Sequence, residues 1–151
     1  MSGLTIDDFE RLPQPLAHYH ELVDGELVDV SGNTAEHNLF RGYLSGELGS
    51  FVRQHHLGLV MCEMDFDFGG NAHGPDVSFI GEPKVALIER KLRVQRFVPD
   101  VAIEIVPSKD TFEGVIGKAL RYRRCGTREV DLRSRKPGGF PVFGKPPRRP
   151  A

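Results

Sequence analysis

Apolar residues recur along this chain at two different periods, and the changes of period mark out its elements. Thr5 and Asp8 have the spacing of a capping box, predicting a short helix over 6–12 that Pro13 and Pro15 end. HYHELV and ELVDV flank Asp24-Gly25, a dipeptide favoured in two-residue turns, so residues 18–30 read as a β-hairpin. After Ser31-Gly32-Asn33, apolar Leu39, Phe40, Tyr43, Leu44, Leu48, Phe51 and Val52 fall at helical spacing, predicting a helix over about 34–56. From Gly58 the period becomes two. Val60, Cys62, Met64, Phe66 and Phe68 share one face of a half-buried strand, with Glu63, Asp65 and Asp67 on the other.

GGNAHG then reads as a connecting loop into the short strand PDVSFIG, and residues 82–97 read as a short helix with a linker. PDVAIEIV at 99–106 is the most apolar strand. A helix over about 110–125 follows, with Phe112, Val115, Ile116, Ala119 and Leu120 as its expected buried stripe and Gly126 as its C-cap. REVDL begins another strand. This order predicts an α/β sandwich with a mixed sheet flanked by helices. The domain is expected to occupy residues 1–131, and the basic, proline-rich stretch 132–151 is expected to be disordered.

A length of 151 residues suits one domain with an adequate core. Cys62 and Cys125 form no CxxC pair and read as packed, reduced thiols of a cytoplasmic protein. No apolar run reaches the roughly 20 residues of a membrane span, and MSGLTIDDFERL is acidic where a signal peptide is basic. Charge is unevenly placed. Residues 1–117 carry nine Lys and Arg against nineteen Asp and Glu, whereas residues 118–151 carry eleven against two. Such a split sets a phosphate-attracting surface beside a carboxylate-rich region, although a solvated tail gives the same count.

Carboxylates supply the candidate chemistry. Asp76 opens one strand after Pro75, and Glu104 lies inside VAIEIV, where a carboxylate is costly to bury unless a cation pairs with it. Asp100, in a second Pro-Asp dipeptide, shares a strand face with Glu104 but lies about 13 Å along it, too far for one magnesium ion to bridge. Asp76, on a different strand, can approach Glu104. His18, His20, His37, His55, His56 and His73 lack HExxH or cysteine-rich ligand spacing and read as structural or surface residues. There is no GxSxG elbow and no GxxxxGK[ST] loop.

Taken in order, YHELVDGELV, AEHNLF, GPDVSFI, PDVAIEIVPS and GKALRYRRCGTREV resemble the successive segments of the Uma-two family of restriction endonucleases, a branch of the PD-(D/E)XK superfamily. The resemblance covers residues 5 to about 130. It implies a restriction-endonuclease-like core, and an endonuclease hydrolysing DNA phosphodiester bonds with magnesium, or manganese in its place, held by Asp76 and Glu104. Glu21 is implied as a further metal-binding carboxylate from the hairpin. The superfamily lysine two residues after the glutamate is replaced here by Val106, and the resemblance assigns the catalytic cation to Lys118, before Leu120 and Tyr122. DNA is the implied partner, and cutting both strands of a duplex suits a twofold homodimer. After Val130 the sequence departs from the family's apolar strand into DLRSRKPGGFP, resembling a truncation or shifted frame. The rival expectation is therefore a catalytically inactive nucleic-acid-binding or interaction module on the same fold.

Overall fold

The computed structural model describes residues 3–30, 34–106 and 112–134. Helix α1 (Ile6–Glu10) carries the expected capping box, with the Thr5 hydroxyl accepting from the Asp8 N–H and the Asp8 carboxylate accepting from the Thr5 N–H. The prolines do more than end it. Pro13 becomes the N-cap and Pro15 an early position of a second helix, α2 (Gln14–His18), because a missing N–H costs nothing in a first turn. The hairpin β1 (His20–Val23) and β2 (Glu26–Asp29) follows, its turn made by Asp24 and Gly25, both at positive φ. Helix α3 (Ala35–Gln54) is capped by Thr34 and buries Phe40, Leu44 and Val52, while Leu39 and Phe51 lie exposed.

The alternating run 58–68, expected to form one strand, is two. Glu63 takes φ 52° and hands the chain from β3 (Gly58–Cys62) in one sheet to β4 (Asp65–Phe68) in another. Two consequences correct the sequence reading. Cys62 is exposed instead of packed, whereas Cys125 sits against the Phe66–Phe68–Tyr122 core. GGNAHG is not simply a loop, because Asn71–His73 form strand β5 against β4. Beyond β6 (Val77–Gly81), the 82–97 stretch supplies a four-residue helix, α4 (Glu82–Val85), and a two-residue strand, β7 (Val94–Gln95). Strand β8 (Val101–Val106), helix α5 (Phe112–Arg124) and strand β9 (Glu129–Ser134) complete the described chain.

There are thus two mixed sheets where one was expected. The first runs β2-β1-β5-β4-β7 and the second β3-β6-β8-β9, each closed by one parallel pair. Strand β9 pairs with β8 through Ser134, three residues past the expected domain boundary at 131. The rest of the basic tail, residues 135–151, lies outside the described residues, as do 107–111.

The stripe expected on α5 is also rotated. Ile116 and Leu120 are exposed and line a groove against β9, while Tyr122 is fully buried and Lys118 half-buried. Residues 118 and 122 stand on one helical face, and 116 and 120 lie about 200° around the axis from it. The face that α5 turns inward is chosen by a polar cluster at the seam of the two sheets.

Candidate functional site

Asp76 and Glu104 reach each other through strand register. Strands β6 and β8 are antiparallel, with Val77 opposite Ile103 and Ser78 opposite Ala102. One further step sets Asp76 opposite Glu104, on central strands of the four-stranded sheet. The Asp76 carboxylate is fixed at both oxygens. Oδ2 accepts the Ile105 N–H at 2.7 Å, and Oδ1 accepts from His37 Nε2 at 2.9 Å. Burial alone would raise the Asp76 pKa, yet the His37 and Ile105 hydrogen bonds bring it below the usual aspartate range.

Glu104 is in the opposite situation. Burial pushes its carboxyl up to about 8, and the charges of Asp76 and Glu21 add to that against the opposing pull of Lys118. Tyr122 donates its hydroxyl to Oε1 at 2.6 Å, and Lys118 Nζ lies 3.5 Å from the same oxygen. Lys118 and Tyr122 can both reach it because they are four residues apart on α5. Burial would lower the Lys118 pKa, but Glu104 and Glu21 hold it above the ordinary lysine value, so it is a fixed cation.

Glu21 arrives from the other sheet. Leu22 of β1 is opposite Ala72 of β5, which sets Glu21 opposite His73. Its Oε2 accepts from His73 Nδ1 at 2.8 Å, while Oε1 is 3.0 Å from Lys118 Nζ and accepts the Gly74 N–H at 3.2 Å. Burial would raise the Glu21 pKa, and the His73 hydrogen bond and Lys118 charge overcome it, leaving Glu21 an anion. Arg121 Nη1 is 3.0 Å from His73 Nε2, and because arginine only donates, the His73 proton is placed on Nδ1, facing Glu21.

Three acidic side chains from two sheets therefore gather about one lysine, and the excess of acid over base falls on Glu104, which keeps its proton near neutral pH. All four residues expected at the site, Glu21, Asp76, Glu104 and Lys118, are brought together. Asp100 is not. It sits at the other end of β8, accepting the Gly81 N–H at 2.7 Å and pairing with Lys84 at 3.3 Å. Among the described residues no group of three or more His, Cys, Asp or Glu is arranged to hold an ion by itself. Asp76 and Glu104 offer two oxygen donors at the seam, which suits a hard divalent cation that keeps water in its remaining positions. The proton retained by Glu104 marks the positive charge this pair lacks. Glu21 is spent on Lys118 and His73.

Sequence reading missed His37, His73, Arg121 and Tyr122. The histidines were tested only against zinc-ligand spacings, and their acidic partners lie 39 and 52 residues away in the chain. Only the resemblance pointed at Tyr122. A groove of about 630 Å³ between the hairpin and α5 leads to the cluster, lined by Lys118, Arg121 and Arg124 beside Gly114 and Gly117.

Residues 6–148 match the family model Uma2, described as "Putative restriction endonuclease". The match continues well past residue 130, where the resemblance read from the sequence stopped. A protein from Anabaena variabilis ATCC 29413, described as "a putative nuclease belonging to DUF820", superposes with a TM-score of 0.72 at 21% identity, over 87% of this chain and 74% of that one. It shares the fold. No curated protein matches the chain.

Proposed function

Since the chain belongs to the Uma2 family, we propose that it is a metal-dependent endonuclease hydrolysing DNA phosphodiester bonds, with the seam between its sheets as the active centre. The observation that carries this reading is the placing of Asp76 directly across from Glu104, with the fixed cation Lys118 at 3.5 Å from the glutamate. The reading is supported by the likeness of this trio to the carboxylate–carboxylate–lysine set of PD-(D/E)XK nucleases, with the lysine supplied by α5 where Val106 occupies its usual position.

Asp76 and Glu104 would hold magnesium, or manganese in its place. When bound, such an ion neutralises charge on the phosphate and makes bound water easier to ionise. The protein's own groups do the remainder. His37 and the Ile105 N–H hold the Asp76 carboxylate in one orientation, and Tyr122 does the same for Glu104. Lys118 is kept charged by two glutamates and presents Nζ to an incoming phosphate oxygen. Glu21 serves this reading best as the group that aims Lys118, itself locked by His73 and Arg121. Arg121 and Arg124 along the groove would take flanking phosphates. Two chains in a twofold pair would cut both strands of a duplex, a state that light scattering on the purified protein would reveal.

Nicking of supercoiled plasmid by the full chain, with magnesium, with manganese and with EDTA, tests the reading. Metal-dependent nicking that is lost in Asp76→Ala and Glu104→Ala supports it, and normal cleavage by either variant would sink it. Metal-induced thermal stabilisation separates a working site from a binding module that keeps only the fold, because an ion bound to the native state alone raises the melting temperature.

A further inference from the structure

Glu21 faces two spaces. One is the basic groove along α5, and the other is a cavity of about 480 Å³ whose walls include Tyr19, Glu63, Asp65, Gly74 and Arg93. The mechanism above uses nothing in this second space except Glu21. Two of its polar groups have no hydrogen-bonding partner among the described residues. The Asp65 carboxyl accepts no hydrogen bond, although Gly74 leaves room for it: a Cβ there would lie 2.7 Å from Oδ1. Arg93 Nη1 is buried with nothing to donate to. Nη1 is closed off from the cavity, so Arg93 gives that space its charge, whereas the unmatched acid of Asp65 is a group whose cost a ligand can return.

The chemistry of the walls narrows what that ligand is. Glu21, Glu63 and Asp65 make the cavity unsuited to a phosphate, and the guanidinium of Arg93 makes it unsuited to a bare cation. Burial, then the charge of Glu21, pushes the Asp65 carboxyl up to about 7. Near neutral pH it therefore donates as well as accepts. Tyr19 is half-exposed at the mouth, 4.9 Å from the His18 ring in an edge-on contact, and presents an aromatic surface. A flat heteroaromatic group with both donors and acceptors on its edge satisfies all of these walls together.

We propose that this cavity is a nucleobase pocket, taking an unpaired base of the strand whose backbone lies over Lys118. Resting on the nuclease reading, this makes the substrate DNA with a single-stranded or extruded nucleotide beside the scissile phosphate. Asp65 reads the base edge beside the charge of Arg93, Tyr19 stacks on its face, and Glu21 joins the base pocket to the catalytic lysine.

The test compares a fluorescent single-stranded oligonucleotide with a strand of equal length and charge made of abasic deoxyribose phosphates, bound to the full chain in EDTA. The base-bearing strand should bind about tenfold more tightly, the value expected of one stacked base. Tyr19→Ala and Asp65→Leu, which keeps the bulk of the side chain but removes both donor and acceptor, should each remove most of that preference while leaving affinity for the abasic strand and the melting temperature close to wild type. Equal binding of the two strands by the wild-type protein would overturn the pocket, as would an undiminished preference in both variants. Plasmid nicking measured alongside separates the two readings. Nicking without base preference defeats the pocket alone, and base preference without nicking under either metal defeats the nuclease assignment alone.

Discussion

Replacing Glu104 by glutamine should make the metal-free protein more stable at alkaline pH while removing its response to metal. Glu104 has a carboxyl moved from 4.5 to about 8, chiefly by burial and then by the charges around it. The folded state thus retains a proton that the unfolded chain has already released. Between these two values native protein binds more protons than unfolded protein, so stability falls as pH rises through the window. At about 1.4 kcal/mol for each unit, the full shift amounts to a ceiling of about 5 kcal/mol acting against the folded state above pH 8. For a chain of this size that corresponds to a fall in melting temperature on the order of 10 °C. Asp65, raised to about 7, adds a loss of the same sign that is complete at lower pH. Glu21 and Asp76 are shifted downward and contribute stability lost only on acidification below the usual carboxylate range. Glutamine keeps an oxygen to accept the Tyr122 hydroxyl and has no proton to retain. Thermal melts in EDTA from about pH 5 to about pH 9 should show the wild-type protein declining and Glu104→Gln nearly level above neutrality. At the proposed metal site magnesium would have to displace the same proton, so its stabilising effect on wild type should grow with pH and vanish in the variant. A wild-type profile as level as that of Glu104→Gln, or a variant with the full magnesium response, would refute the reasoning.

Asp76→Ala should abolish nicking and also cost roughly 2 kcal/mol of stability, because it strips the buried Ile105 N–H and His37 of their acceptor; chemical denaturation measures the loss. Tyr122→Phe removes a donor 2.6 Å from Glu104 and should raise the glutamate pKa further, weakening metal-induced stabilisation at pH 7 while costing about 1 kcal/mol. Asp100→Asn should nick plasmid normally, since Asp100 serves the Gly81 N–H and Lys84 at the far end of β8; a dead variant would contradict the geometry. Deleting residues 132–151 should lower the melting temperature markedly, because Leu132, Arg133 and Ser134 pair with Glu104, Ile105 and Val106, and an unchanged melting curve would show that this end of β9 contributes nothing.

The local periods of this sequence determined most of its elements. Thr5 with Asp8, Asp24-Gly25, and the apolar run around Glu104 each specify their structure through interactions spanning a few residues, and all three stand where the chain alone places them. For Asp76 and Glu104 the sequence went only as far as placing them on different strands that could approach, and the antiparallel register of β6 and β8 set them opposite each other. Tertiary structure decided what local pattern cannot encode. Period two through 58–68 fits one strand or two equally well, and only the left-handed turn at Glu63 assigns its halves to different sheets. On α5 the apolar stripe through Ile116 and Leu120 competed with Lys118 and Tyr122 for the inward face. The polar pair won because Glu104, buried in the neighbouring strand, needed a cation and a donor more than the helix needed to hide two aliphatic chains. His37 and His73 became part of the site for a similar reason. A buried carboxylate is stabilised by whichever donor the fold brings within about 3 Å, and that neighbour is set by sheet order and register across dozens of residues.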